Sequence, residues 1–224
     1  MSSVLITAAT RWESGPLAKA LGLPPSGDGR WEGLACGRRI VLLKTGMGAV
    51  KTRDVLDRDF VASDHGLVLS AGLCGAMQPG VRTGDIVADV QDVELDYATA
   101  LKQTAETLGQ RFHFGKILHT NLVLKPEMKR KLGTENRVLA CDMETAAVRR
   151  WADGKAPVIG LRAVLDELDE EVPSDAPEAG GPAALARYAL GHAGELPLLI
   201  RTGLRSARAM KRLSRFIRAY LETT

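Results

Sequence analysis

The sequence predicts an α/β fold on three observations. Short runs rich in Val, Leu, Ile and Ala alternate with stretches of helical character, as where helices connect the strands of one sheet. Four of the predicted strands run into Gly-rich or acidic turns, the place where ligands sit in such folds. The 224 residues, 45% hydrophobic and 25% charged, suit a single substantial domain, with no internal repeat and no low-complexity segment.

Taken in order, SVLITAA from Ser3 is the first strand and ESGPLAKAL the helix after it. PPSGDGR is a turn, followed by a hairpin of WEGLA and RIVLLKTG that leads into TGMG. AVKTRDVLDRDFV is a helix, GLVLSAG a strand, and GDIVADVQDV extended. ATALKQTAETLG is helical and HFGKILHT extended again, and PEMKRKL, with proline in its first turn, is a short helix. A strand RVLA, a helix from Asp142 and a strand PVIGLRAVL complete the core. The acidic, Pro- and Gly-rich stretch 167–182 is expected to be a mobile loop, and 196–222 a basic amphipathic C-terminal helix.

Aromatic residues make up only 4%, so strands must be built from aliphatic side chains. Three scattered cysteines, Cys36, Cys74 and Cys141, argue against a disulfide framework or a zinc site. The start MSSVLITAATRWE has no basic leader, and no run approaches the roughly 18 apolar residues of a spanning helix. The expected location is therefore the cytoplasm. Charge is uneven: from Leu196 to Thr224 there are seven Lys or Arg against one acid, while the rest of the chain carries a net −3. Arg201, Arg205, Arg208, Arg212 and Arg215 recur at steps of four and three, on a face different from Leu199, Met210, Leu213, Ile217 and Tyr220. Such a helix either packs on the body with its arginines in solvent or meets anionic lipid head groups peripherally at a membrane. Nucleic acid ranks last, because aromatic interleaving is missing.

Each motif also has a structural explanation. Gly46-Met47-Gly48 and Ser70-Ala71-Gly72 serve tight backbone geometry or a close approach to ligand oxygens. Thr10 and Glu13 match a capping box, Asp142 an N-cap and Glu144 a first-turn acid. Asp166 lies among Glu167, Asp169, Glu170 and Glu171, and an acidic run is commonly a solvated face.

In combination, TGMG, SAGLCGAM with GDIV, DMETAAV and LRAVLD have an order and spacing that resemble the nucleoside phosphorylase and nucleosidase superfamily. That group holds purine nucleoside phosphorylases and methylthioadenosine/S-adenosylhomocysteine nucleosidases. The resemblance runs from about Val4 to Asp166, with DMETAAV and LRAVLD its most specific parts. It implies a three-layer αβα fold with a mixed central sheet, a homodimer, and no metal or organic cofactor. LRAVLDELDEEVPSDA and LPLLIRTGLRSARAMKRLSRFI further resemble the hopanoid-associated nucleosidases, which remove adenine from adenosylhopane.

The resemblance implies residue roles. Asp166 would protonate N7 of the leaving purine, and Glu13 would activate water on the opposite side of the sugar. Glu144 would accept the ribose hydroxyls, with Met143 against the apolar sugar face. Ser70, Ala71, Gly72 and Gly48 would line the sugar and water site. Arg162 would support neighbouring acids. One departure stands out: Leu165 occupies the place where the family keeps serine or a similar small polar residue. Phosphorolysis stays open through Arg11 and Arg53. So do a futalosine- or methylthioadenosine-type substrate and a nucleoside-binding protein without catalysis.

Overall fold

The structure, a computed structural model, describes residues 3–91, 93–172 and 196–224. Among them, ten strands form one mixed sheet. In chain order the elements are β1 (Ser3–Ala8), α1 (Arg11–Leu21), β2 (Pro25–Gly27), β3 (Arg30–Ala35) and β4 (Arg38–Lys44), then α2 (Ala49–Asp59), a 3-10 turn (Ala62–Asp64) and β5 (His65–Ala76). There follow β6 (Ile86–Asp89), α3 (Leu95–Leu108), β7 (Phe112–Phe114), β8 (Ile117–His119), α4 (Pro126–Asn136), β9 (Ala140–Asp142), α5 (Thr145–Ala152), β10 (Val158–Asp166) and α6 (Leu196–Thr223).

The sheet runs β2-β3-β4-β1-β5-β10-β6-β7, with β9 pairing on both β5 and β8. Strands β4, β1, β5 and β10 are mutually parallel. Their carboxyl ends, Lys44, Ala8, Ala76 and Asp166, therefore open on one edge of the sheet. Being covered on both faces, these strands are almost wholly apolar.

Side chains alternate between two helical layers. On one face, Val4, Ile6, Ile40, Leu42, Leu69, Ile159 and Leu161 pack with Leu17 of α1, Leu101 of α3 and Met210, Leu213, Phe216, Ile217 and Tyr220 of α6. Phe216 stacks on Phe112 at 5.5 Å between ring centres. On the other, Leu5, Val41, Val68 and Val158 meet Leu56 of α2 and Val148 of α5. The architecture is the three-layer αβα arrangement with a mixed sheet.

Several boundaries differ from the sequence expectation. PPSGDGR contains the short edge strand β2, and the extended runs at 84–93 and 113–120 narrow to β6 and to β7 with β8. The strand expected at RVLA begins only at Ala140, because Arg137 takes a left-handed conformation (φ 53°) that closes α4. The helix expected from Asp142 begins at Thr145 instead. Much of the loop expected at 167–182 lies outside the described residues. Its first part is tied down: Glu167 accepts from Thr83 N at 3.2 Å, and Arg130 bonds Asp169 at 2.5 Å. Among the described residues no helix is long and apolar enough to cross a membrane.

Candidate active site

The centre of the strand-end region is Arg162 on β10, whose side chain is 1% exposed. Its Nη2 meets Asp142 Oδ2 at 2.6 Å and Glu144 Oε2 at 3.5 Å, and donates to Ser70 Oγ at 2.9 Å and Thr145 Oγ1 at 3.2 Å. Burial works against the guanidinium charge, but Asp142, Glu144 and Glu13 outweigh it and raise its already high pKa further. Among the described residues its buried Nη1 has no acceptor.

Asp142 ends β9. Its carboxylate accepts from Thr145 N at 3.1 Å and Thr145 Oγ1 at 2.5 Å. It thus bonds the first residue of α5 from two positions before the N-cap, which is Glu144 and not Asp142 as expected, and also neutralises Arg162. Met143 and Glu144 form the strand-to-helix turn before α5 rather than its first turn, and Glu144 is the N-cap residue. Met143 is half-buried. Glu144 Oε1 accepts from Gly48 N at 2.9 Å, and Gly48 reaches it with φ 89° at the N-cap of α2. Burial pushes the Glu144 carboxyl up from 4.5 to about 7, against the pull of Arg162 and helped by Asp142 and Glu13.

Glu13 keeps its capping role: Oε2 accepts from Thr10 N at 2.9 Å and Thr10 Oγ1 at 3.0 Å. Oε1 accepts from Leu73 N of β5 at 2.9 Å, so the cap carboxylate also grips the central strand. A Cβ on Gly72 would stand 2.3 Å from Arg162 Nη1 and 2.5 Å from Glu13 Oε1, so only glycine admits both groups.

Ser70 is fully buried behind Arg162, with its hydroxyl held by Arg162 and Thr145. Ala71 points into the opposite core, beneath α1 and α6. These two support the site from behind.

Asp166 ends β10 on a bulge: Val164 pairs with Cys74 and Asp166 with Gly75, which leaves Leu165 as the extra residue. A bulge re-aims the side chain that follows it. A Cβ on Gly75 would lie 3.1 Å from Asp166 Oδ2 and 3.3 Å from Cys141 Sγ, so here too the strand gives room to the acid. Burial pushes the Asp166 carboxyl up above the usual carboxylate range, and the pull of Lys129 offsets this only in part. Burial also pushes Cys141 up to about 12, which keeps that thiol protonated.

Glu13, Glu144 and Arg162 thus touch one another's surroundings directly. Asp166 lies further along β5, against Gly75, whereas Glu13 is bonded at Leu73. Lys129, buried on Asp166, was not singled out from the sequence, where PEMKRKL sets it beside two other bases. Arg11 is exposed and Arg53 pairs with Asp57 at 3.5 Å on the outer face of α2. Among the described residues no group of three or more His, Cys, Asp or Glu is arranged to hold a metal ion.

No family model matches the chain, and no curated protein sequence does. Solved structures do match. A futalosine hydrolase mutant of Helicobacter pylori superimposes with a TM-score of 0.76 at 16% identity, covering 100% of both chains. The 5′-methylthioadenosine/S-adenosyl homocysteine nucleosidase of Campylobacter jejuni gives 0.75 at 16%, again over 100% of both. That of Streptococcus pneumoniae, solved with a transition-state inhibitor, gives 0.71 at 19% over 99% of both. The chain has the nucleoside phosphorylase-like fold.

Because Glu144 is raised by burial, its contribution to stability is full below about pH 4.5 and is lost as pH rises through about 7. Glu144→Gln cannot ionise. It should gain on the wild type between about pH 4.5 and 7, by at most about 1.4 kcal/mol per pH unit, in urea unfolding curves taken across that window. A flat difference contradicts the raised carboxyl.

Proposed function

We propose that the chain hydrolyses the N-glycosidic bond of a purine nucleoside and releases adenine. The observation that carries this reading is the placement of Glu13 and Asp166. Both are buried and both lie against β5, Glu13 from the first turn of α1 at Leu73 and Asp166 from the end of β10 at Gly75. Inverting glycoside hydrolysis uses such a pair of carboxyl groups, one to protonate the leaving group and one to activate water. Asp166 gives its proton to N7 as the C1′–N9 bond breaks and its electron pair passes to the purine. Water bonds to C1′ and yields its proton to Glu13. Glu144 accepts the ribose hydroxyls, and Met143 lies against the sugar. Glu13 and Asp142 around Arg162, joined by Glu144 as it ionises near pH 7, favour a cationic sugar. Gly48 and Gly72 keep the backbone close, while Ser70 and Ala71 hold the wall.

Water is preferred to phosphate as the acceptor because Arg11 is exposed and Arg53 lies on the outer face of α2, while the buried Glu13 would serve as the base for water. Adenosylhopane is the proposed nucleoside, on the resemblance around 161–176 and in the C-terminal helix. The fold neighbours favour a second reading, a futalosine- or methylthioadenosine-type substrate.

Base release from a panel of 5′-substituted adenosines and futalosine, with and without phosphate, tests these readings together. Asp166→Asn should lower release at least about 100-fold while the protein stays folded by circular dichroism. A protein that binds a nucleoside yet frees no base from any of them is a binding protein on this fold, and the hydrolase reading falls.

A second copy of the chain is the proposed cover for Trp12 and Val50, which are 62% and 74% exposed and adjoin Glu13 and Gly48. Sedimentation at micromolar concentration should show a dimer, and Val50→Glu should weaken it. A monomer with an intact site contradicts this.

The proposed partner of α6 is an anionic membrane surface. Arg201 and Arg205 bind Glu170, whereas Arg208, Arg212 and Arg215 form none of the ion pairs among the described residues. Ile200 and Leu204, both over half exposed, border the same stripe. Each base near such a surface contributes about 1 kcal/mol. The protein should sediment with phosphatidylglycerol vesicles at low salt and less so at high salt. Indifference to vesicle charge retires the idea.

A further inference from the structure

Lys129 is an ammonium buried to 1% exposure, on a helix whose neighbouring bases Arg130 and Lys131 reach solvent. All three of its N–H donors are engaged: one on Asp166 Oδ2, one on Glu167 O at 2.9 Å and one on Glu170 O at 2.9 Å. The two carbonyls belong to the segment that leaves β10, so the lysine ties α4 to the strand end at the carboxyl itself. Asp166 Oδ1 has no hydrogen-bond partner among the described residues.

Resting on the hydrolase reading above, we propose that Lys129 is a positioning residue for the proton donor: it pins Asp166 Oδ2, leaves Oδ1 to the substrate, and holds the carboxyl ionised in the empty site. A proton from solvent then loads Oδ1. When it passes to N7 and the C1′–N9 electrons enter the purine, the carboxylate that remains is the form that Lys129 stabilises. The lysine makes Asp166 a stronger acid, at the cost of a smaller protonated fraction near neutrality.

The other groups facing Asp166 do not substitute for it. Cys141 of β9 and Cys74 of β5 stay neutral because burial raises both thiols. Glu170, in the segment after β10, opposes ionisation, and Arg205 of α6, which favours it, is bonded to Glu170 at 2.7 Å. Glu167 turns its carboxylate to Thr83 N.

The test combines the pH profile of adenine release with carbon NMR of protein labelled at the aspartate carboxyls, the Asp166 signal being the one lost in Asp166→Asn. In the wild type the Asp166 carboxyl should be ionised at pH 7. Lys129→Gln keeps a donor for the carbonyls but loses the charge. In it, the Asp166 midpoint and the alkaline limb of kcat/KM should both move up by about one pH unit or more. Lys129→Arg should leave both near their wild-type positions. A protonated Asp166 in the wild type at pH 7 overturns the proposal even if the variants do not fold. So does an unmoved alkaline limb in an active Lys129→Gln, as expected if the lysine were only structural. A wild type that frees no base sinks the hydrolase reading as well, so the two failures are distinguishable.

Discussion

The strand-end region depends on one buried cation. Arg162 on β10 is almost wholly withdrawn from solvent, where an unpaired guanidinium would carry a desolvation cost of several kcal/mol. The fold meets that demand by bringing acids from different elements to it: Asp142 from the end of β9, Glu144 from the turn before α5, and Glu13 from α1. Removing one partner of such a cluster typically costs about 3–5 kcal/mol. The same demand explains smaller choices. Ser70 and Thr145 supply hydroxyls to the guanidinium, and Gly72 omits the side chain that would collide with both Arg162 and Glu13. Acids gathered to balance a structural charge are also, at a strand end, groups able to hold a sugar and polarise water.

This arrangement explains how far the sequence could be read. The layers and parallel strands follow from patterns of apolar residues that are local and periodic, and those patterns are visible in one chain. The capping box at Thr10 and Glu13 is equally local, and it forms. Its second use is not local: the hydrogen bond from Leu73 N joins residues sixty positions apart. Asp142 was expected as the N-cap, the place that Glu144 takes, and was not legible as the partner of Arg162; the start of α5 was misplaced for the same reason. A carboxylate engaged by a strand twenty residues later keeps its own residue in β9. Lys129 was the least legible of all. In PEMKRKL it is one of three neighbouring bases, and only packing against the end of β10 separates it from the two that face solvent.

The basic tail has a similar double character. Met210, Leu213, Phe216, Ile217 and Tyr220 hold α6 in the core, so the helix is part of the body. Its first arginines reach Glu170, only four residues beyond Asp166 and bonded to it through a shared lysine: Lys129 contacts both the Asp166 carboxylate and the Glu170 carbonyl. Charge that looked like a solvated stripe in the sequence is, at this end, part of what fixes the segment leaving the strand. Only the later arginines, Arg208, Arg212 and Arg215, are left for an outside partner.

Leu165 bears on the same segment. A serine before the acid would offer a hydroxyl to orient it, and leucine offers none. Here the residue is instead the extra one of a β-bulge, with its carbonyl taking a hydrogen bond from Thr83 Oγ1 at 3.4 Å. The bulge turns Asp166 toward Gly75, and Lys129 fixes the oxygen that would otherwise rotate. Orientation by backbone geometry and a buried ammonium replaces orientation by a neighbouring hydroxyl. The two devices are not equivalent, because a hydroxyl leaves the charge of the acid alone whereas an ammonium lowers the pH at which the acid lets go of its proton. On the proposal above, Lys129 both places and tunes the acid of a chain that carries leucine at this position.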